Sequence, residues 1–202
     1  MEIKTRIMEG AGFLFFSRGI RRVTMDELAS EVGMSKRTLY ENFNDKTELV
    51  KATVNYFQRQ HEGHIREMSN NSDNVMEVII GILRYGLEGI NRVNPLYLED
   101  LRKFYPGVWD ETVKKSRESS QKQMRELLER GKEEGLFREN IDARLVARIF
   151  YEQINLIHNN EAFPVEEFPR KELFENMFLN FARGISTPKG VEVLEQLLNN
   201  EE

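Results

Sequence analysis

Three closely spaced helix-start signals near the N-terminus constrain this chain more than any other feature. Thr24 and Glu27 form a capping box, in which a hydroxyl and a carboxylate three residues apart satisfy each other's backbone N–H groups. Ser35 is placed to cap a second helix, and Asp45 a third. Between the first two, Gly33 can end a helix in the left-handed conformation. Two short helices around such a turn are typical of a helix-turn-helix.

The second helix of this pair has an apolar stripe and a polar face. Leu39 and Phe43 are four residues apart, so we expect both to face the core. Lys36, Arg37 and Tyr40 then point away from the core. Because the N-terminal residues of such a helix meet base edges in the major groove, Lys36 and Arg37 are predicted to approach guanine acceptors.

Polar groups around the same turn are suited to phosphate oxygens. Thr38, Tyr40 and Lys46 carry such groups, and Lys46 stands in the first turn of a helix, where backbone N–H groups attract anions. A lone Lys-Arg pair is usually a solvated surface feature, but this one lies among capped helices. The predicted DNA contacts are Thr24, Ser35, Lys36, Arg37, Thr38, Tyr40 and Lys46.

The segment closely resembles the DNA-binding domain of the TetR (tetracycline-repressor-type) family of transcriptional regulators. The matching residues are Ile7, Ala11, Phe15 and Gly19, followed by residues 24–29, 32–36, 38–40, Phe43 and residues 46–49. Two positions depart from the pattern: Glu41 places a negative charge beside the expected DNA face, and Asn42 stands where the family often carries a ring. A weaker resemblance continues through Leu127, Gly131, Gly135 and Phe137 and the segment 173–185.

The composition predicts an all-α fold. The chain has 202 residues, of which 40% are hydrophobic and 31% charged, with five prolines. We expect a three-helix helix-turn-helix DNA-binding domain over residues 1–56, with its motif at 24–43, and a helical ligand-binding and dimerisation domain over residues 57–202. The polar stretch 69–74 is the best candidate for a linker.

The charge distribution restricts where DNA can bind. The formal net charge is −5, and residues 1–50 contain eight Lys or Arg against eight Asp or Glu. Global charge therefore does not identify a DNA-binding protein. Binding is expected to be strongly salt-dependent and confined to one end of the molecule.

The C-terminal helices carry broad apolar faces, which predicts a two-fold homodimer closed by a four-helix bundle. Two helix-turn-helix units at a fixed separation would read a pseudo-palindromic operator, and the resemblance implies dimerisation through the last two long helices. A single larger intramolecular core is the alternative. The predicted interface residues are Ile149, Phe150, Ile154, Phe174, Met177, Phe178 and Phe181.

Aromatic residues concentrate in the middle of the chain beside two helix breaks at Pro95 and Pro106. The resemblance implies that this region binds a small effector that shifts the spacing of the two DNA-reading heads. Packing in an ordinary core is the alternative for each residue. The predicted ligand contacts are Tyr85, Tyr97, Leu101, Phe104 and Trp109.

Enzyme and membrane functions find little support in the sequence. The absence of cysteine excludes disulfides and thiolate chemistry, and His61, His64 and His158 lack the spacing of a zinc-protease motif. We predict no metal and no cofactor. No apolar run reaches the roughly 18 residues that a membrane span needs, so we expect a cytoplasmic protein without a membrane partner.

The resemblance implies a ligand-responsive regulator, by default a repressor that leaves its operator when a small molecule binds. The alternative is a helical small-molecule-binding or interaction protein whose helix-turn-helix does not contact DNA. Glu41 and the balanced charge of the first fifty residues make that alternative conceivable.

Overall fold

The computed structural model describes residues 2–90, 93–157 and 159–199, apart from the side chain of Val113. Within these ranges the chain forms ten α-helices, and no strand is present, which confirms the predicted all-α class. The helices are α1 (Ile3–Arg18), α2 (Met25–Glu31), α3 (Lys36–Asn42), α4 (Lys46–Asn71), α5 (Val75–Gly89), α6 (Pro95–Phe104), α7 (Pro106–Glu133), α8 (Ala143–Leu156), α9 (Arg170–Ile185) and α10 (Pro188–Asn199).

Side-chain caps explain where several helices begin. The side chains of Thr24, Ser35, Asn74, Asn94 and Asp142 each accept a hydrogen bond from a backbone N–H in the first turn of the helix that follows. These short polar residues stabilise an N-terminus because its first N–H groups have no partner within the helix. Local sequence thus sets these helix starts.

The chain divides into two compact units. Unit 1 contains residues 1–61 and 92–116, and unit 2 contains residues 62–91 and 117–202. The division at residue 56 expected from the sequence falls inside α4, as the unit boundary does. The segment 92–116, which the sequence analysis assigned to the second domain, clusters with the helix-turn-helix.

One hydrophobic core holds unit 1 together. Ile7, Leu28, Leu39 and Leu49 are almost completely buried and come from α1, α2, α3 and α4. Tyr97 of α6 and, from the same segment, Leu101 and Val108 belong to the same core. The helix-turn-helix therefore shares its core with α6 and the start of α7.

Helix α5 is central to unit 2, where it packs against α9 and α10. Close approaches between elements rely on glycine, since a Cβ at Gly86 would overlap the ring of Phe174 and one at Gly190 would overlap the backbone carbonyl oxygen of Leu136. Phe137 and Leu194 are buried in this core.

Two features of the chain differ from the sequence analysis. Helix α10, which was not predicted from the sequence, is anchored in the unit 2 core by the buried side chain of Leu194. The predicted linker at 69–74 is wrong at its start, because α4 continues to Asn71 and only residues 72–74 separate it from α5. The polar residues 69–71 form the last turn of α4, because polar side chains are as suited to the end of a long helix as to a linker. Among the described helices, none is long and apolar enough to cross a membrane.

Candidate nucleic-acid interface

The turn between α2 and α3 is built as the sequence predicts. Thr24 Oγ1 accepts from Glu27 N at 3.2 Å while Glu27 Oε2 accepts from Thr24 N at 2.8 Å, which completes the capping box. Gly33 has a φ of 63°, in the left-handed region. Ser35 Oγ accepts from Thr38 N at 3.0 Å and caps α3.

A contact that the sequence analysis missed ties this turn to α1. Arg6 Nη2 donates to the carbonyl oxygen of Val32 at 2.6 Å. That carbonyl belongs to the C-terminal end of α2, where a positive charge is favourable. Twenty-six residues separate the two groups, so no local pattern indicated the bond. It joins α1 to the C-terminal end of α2.

Helix α3 presents the face that its spacing predicted. Leu39 and Phe43 are buried in the unit 1 core, whereas Tyr40 is 46% exposed. Lys36, Arg37 and Thr38 precede Tyr40 on the exposed or half-buried side of the helix. The arrangement leaves one edge of α3 accessible to a large ligand.

Lys36 and Arg37, the two cations at the start of α3, each form an ion pair with a carboxylate. Lys36 Nζ lies 2.8 Å from Asp26 Oδ2, and this hydrogen bond raises the pKa of Lys36. Arg37 Nε lies 2.8 Å from Glu41 Oε1, one helical turn away. The (i, i+4) spacing of Arg37 and Glu41 was readable from the sequence, whereas the pair between α2 and α3 was not.

Lys46 has a more buried environment than a phosphate contact requires. Its Nζ donates to the carbonyl oxygens of Ile20 and Val23 at 2.7 and 2.5 Å. Desolvation lowers its pKa, partly opposed by the charges of Asp100 and Glu27. Two of its three N–H donors therefore bind the loop between α1 and α2. These hydrogen bonds compete with the predicted contact between Lys46 and a DNA phosphate.

The third helix start also follows the predicted chemistry, with one change of partner. Asp45 Oδ1 accepts from Glu48 N at 2.8 Å, as a cap should. Glu48 Oε2 instead accepts from the backbone and side-chain nitrogens of Asn44, at 2.7 and 2.8 Å. The carboxylate thus returns to the residue before Asp45.

The five predicted ligand contacts are not brought together in one unit. Tyr97, Leu101 and Trp109 pack in or against the unit 1 core, and burial raises the pKa of the Tyr97 hydroxyl. Phe104 is 42% exposed, with the guanidinium carbon of Arg21 4.9 Å from its ring centroid. Tyr85 lies in unit 2, where its ring centroid is 4.5 Å from that of His64. Ligand binding at these residues stays a prediction.

The predicted interface residues divide into buried and accessible groups. Phe174 and Phe178 are buried within the single chain, so they offer almost no surface to a partner. Phe150, Ile154, Met177 and Phe181 are partly buried against the unit 2 core.

Ile149 belongs to the accessible group and lies on an exposed apolar strip of α8. It is 45% exposed, and its neighbours Leu145 and Leu156 are also exposed. Together with Arg148 and Glu152 they line a shallow depression on this helix. An exposed strip of this kind is suited to another apolar surface.

Metal-ligating residues do not cluster in the described part of the chain. Among those residues, no group of three or more His, Asp or Glu side chains could hold a metal ion. His61 and His64 both lie on α4, and His158 is outside the described residues.

The sequence is similar to those of bacterial transcriptional regulators. A family model for bacterial regulatory proteins of the tetR family matches residues 7–53. The HTH-type transcriptional regulator YvaF of Bacillus subtilis is 29% identical over 187 residues, which cover 90% of each chain. The HTH-type transcriptional repressor KstR2 of Mycobacterium tuberculosis is 24% identical over 145 residues, covering 70% of this chain and 72% of that protein.

A solved structure has the same fold. The crystal structure of a TetR-family transcriptional regulator from Agrobacterium tumefaciens matches with a TM-score of 0.72 at 19% identity, and the match covers 91% of this chain and 97% of that one. At that identity the likeness concerns the fold, and it extends well beyond the helix-turn-helix.

Proposed function

We propose that this chain, whose residues 7–53 match the model for bacterial regulatory proteins of the tetR family, is a member of that family and a homodimeric repressor that leaves its operator when a small molecule binds. Relatives are named as transcriptional regulators and, for KstR2, as a repressor. The alternative of a helix-turn-helix without a DNA role is not favoured by these relatives.

One observation carries the proposal: α3 is anchored by Leu39 and Phe43 while Lys36, Arg37 and Tyr40 stay accessible. Such a helix can enter a major groove without loss of core packing. The base-edge contacts are assigned to Lys36 and Arg37, and the phosphate contacts to Thr24, Ser35, Thr38, Tyr40 and Lys46.

The same premise supports a pseudo-palindromic site. Two helix-turn-helix units related by a two-fold axis read half-sites about one helical turn of DNA apart. The exposed apolar strip of α8 is the surface through which we propose that two chains associate. The proposed effector is a small molecule.

The test begins with the genomic fragments that the purified protein retains, followed by gel-shift titrations on the shortest retained duplex. We expect Lys36→Ala to weaken operator binding by about 5- to 150-fold, the range for loss of a bidentate base contact. Tyr40→Phe removes one phosphate hydrogen bond and should weaken binding less.

A matched control separates a DNA contact from a loss of positive charge. Lys189 lies exposed at the start of α10 in unit 2, so Lys189→Ala should leave operator affinity unchanged. Equal binding by Lys36→Ala, Tyr40→Phe and the wild type, with all three folded by circular dichroism, would refute the contact assignment. Failure of the wild type to bind any duplex at low salt would refute the function.

A further inference from the structure

The cations that begin α3 are held by carboxylates of the same protein. Lys36 pairs with Asp26 across the turn, and Arg37 pairs with Glu41 along α3, each at 2.8 Å. All four side chains are at least 49% exposed, and that of Arg37 is 89% exposed. Both ion pairs therefore lie in solvent on the face assigned to DNA.

Ion pairs this exposed contribute little to folding. Their charges are screened by water and salt, and two long side chains lose conformational freedom to form each pair. The unit 1 core and the capping box already hold α2 and α3 in place. Each ion pair does occupy a donor of Lys36 or Arg37 on the face assigned to DNA, and so it affects what these cations are able to bind.

We propose that Asp26 and Glu41 are specificity-determining residues, because they hold Lys36 and Arg37 in ion pairs that can persist when the cations contact base edges, whereas a phosphate must displace the carboxylate. The inference rests on the proposed function. Random DNA offers a cation mainly phosphate oxygens, whose attraction is screened by counterions. An operator adds base acceptors in the groove, which form short, directed hydrogen bonds. Lys36 has three N–H donors and Arg37 has five, so each can donate to a base edge while its ion pair persists, whereas a phosphate repels the carboxylate and must displace it. The cost of breaking the ion pair therefore falls on random DNA and not on the operator.

The charge of the surrounding sequence supports this reasoning. Residues 1–50 hold equal numbers of acidic and basic side chains, eight of each. With no excess positive charge, attraction to arbitrary DNA depends on a few local cations. Neutralising one carboxylate releases one of these cations to a phosphate, which adds a displaced counterion and steepens the salt dependence by about 0.9.

The experiment measures two affinities for each variant by fluorescence anisotropy across graded KCl. One duplex carries the operator, and the other carries the same bases in scrambled order. The variants are Asp26→Asn, Glu41→Gln and their combination, all of which preserve side-chain shape. Asp110→Asn is the charge-matched control, because Asp110 is an exposed residue of α7 in unit 1, outside the helix-turn-helix.

We expect Asp26→Asn and Glu41→Gln each to tighten binding to the scrambled duplex by about three- to tenfold, with a steeper salt slope. Operator affinity should increase by a smaller factor, so the ratio of the two affinities falls. The double variant should show the largest fall, and Asp110→Asn should leave the ratio unchanged.

Three results would overturn the inference while leaving the proposed function standing. The scrambled affinity could stay constant, both affinities could rise by the same factor, or both could fall because the carboxylates only position the cations. A wild-type protein that binds neither duplex would instead remove the proposed function, and the inference with it.

Discussion

Lys46 shows how one side chain can serve the fold on a surface assigned to DNA. Its ammonium group joins the start of α4 to the carbonyl oxygens of Ile20 and Val23. Those carbonyls lie in the loop after α1, where the carbonyl oxygen of Ile20 also accepts from Val23 N at 3.3 Å. Removal of the ammonium takes a donor from two partly buried acceptors, of which the Ile20 oxygen keeps its backbone partner, and this is costlier than loss of a surface charge.

We therefore expect Lys46→Ala to lower the free energy of unfolding by about 1–2 kcal/mol, measured by urea denaturation. Lys51→Ala, which removes an exposed ion pair with Glu111 from the same helix, is the control and should change stability less. Equal stability of Lys46→Ala and the wild type would show that these hydrogen bonds do not support the loop. The salt slope of operator binding then reports separately on any phosphate contact.

Glu111 links the stability of unit 1 to acid pH. Hydrogen bonds from Lys115 and Lys51 lower its pKa from 4.5 to about 2. Because the folded-state pKa is depressed, the stabilising contribution is complete above pH 4.5 and is lost as the pH falls through about 2. Thermal melts at low ionic strength should show the stability advantage of the wild type over Glu111→Gln shrinking between these pH values. Asp110→Asn is the neighbouring control, and a constant difference would contradict the coupling.

At the scale of elements, local chemistry predicted what lies within one or two turns. Thr24, Ser35 and Gly33 act on groups three or four residues away, so the start of α2, the turn and the start of α3 were all readable. The inward faces of Leu39 and Phe43 followed from helical periodicity.

Contacts between distant residues were outside the reach of that reasoning. The ring centroids of Tyr97 and Phe16 are 4.8 Å apart. No sequence pattern around either residue predicts that the two rings pack together. The pair of Lys36 with Asp26 and the carbonyl partners of Lys46 depend on the angle between helices. The helix-turn-helix and its exposed face are thus readable from the sequence, whereas the ion pairs on that face depend on how the helices pack.

Helix α10 offers a stability test at this scale. A Cβ at Gly190 would overlap the backbone oxygen of Leu136, which cannot rotate away as a side chain can. We expect Gly190→Ala to destabilise the protein by about 1–3 kcal/mol, measured by urea denaturation.

Gly63→Ala is the matched control for this substitution. Gly63 lies inside α4 with no atom within 4 Å of the position a Cβ would take. Since alanine is the better helix former, Gly63→Ala should stabilise the protein by about 0.5–1 kcal/mol. The same sign for both variants would contradict the proposed packing of α10.

At the scale of the whole molecule, the proposed dimer makes a separate prediction. Ile149→Glu places a charge on the exposed apolar strip of α8 without disturbing a buried side chain. Sedimentation velocity should then show a shift from dimer to monomer, because desolvating the new carboxylate opposes association. Binding to the pseudo-palindromic duplex should weaken in parallel.

The control for the dimer test is Phe13→Glu, since Phe13 is a more exposed apolar residue, located on α1 in unit 1. It should leave the sedimentation coefficient unchanged. A dimeric Ile149→Glu variant would show that α8 is not the interface.

Unit 1 is assembled from two separate stretches of chain, and this has a consequence for biosynthesis. Asn94 N donates to the carbonyl oxygen of Phe16, so the core beneath the helix-turn-helix closes only when residues far downstream arrive. At ribosomal speeds of about 5–20 residues per second, the interval between residues 61 and 116 lasts roughly 3–11 s. During that time the nascent first helices expose apolar surface that Tyr97 and Leu101 later cover, which makes this stretch of the emerging polypeptide a natural client for chaperones.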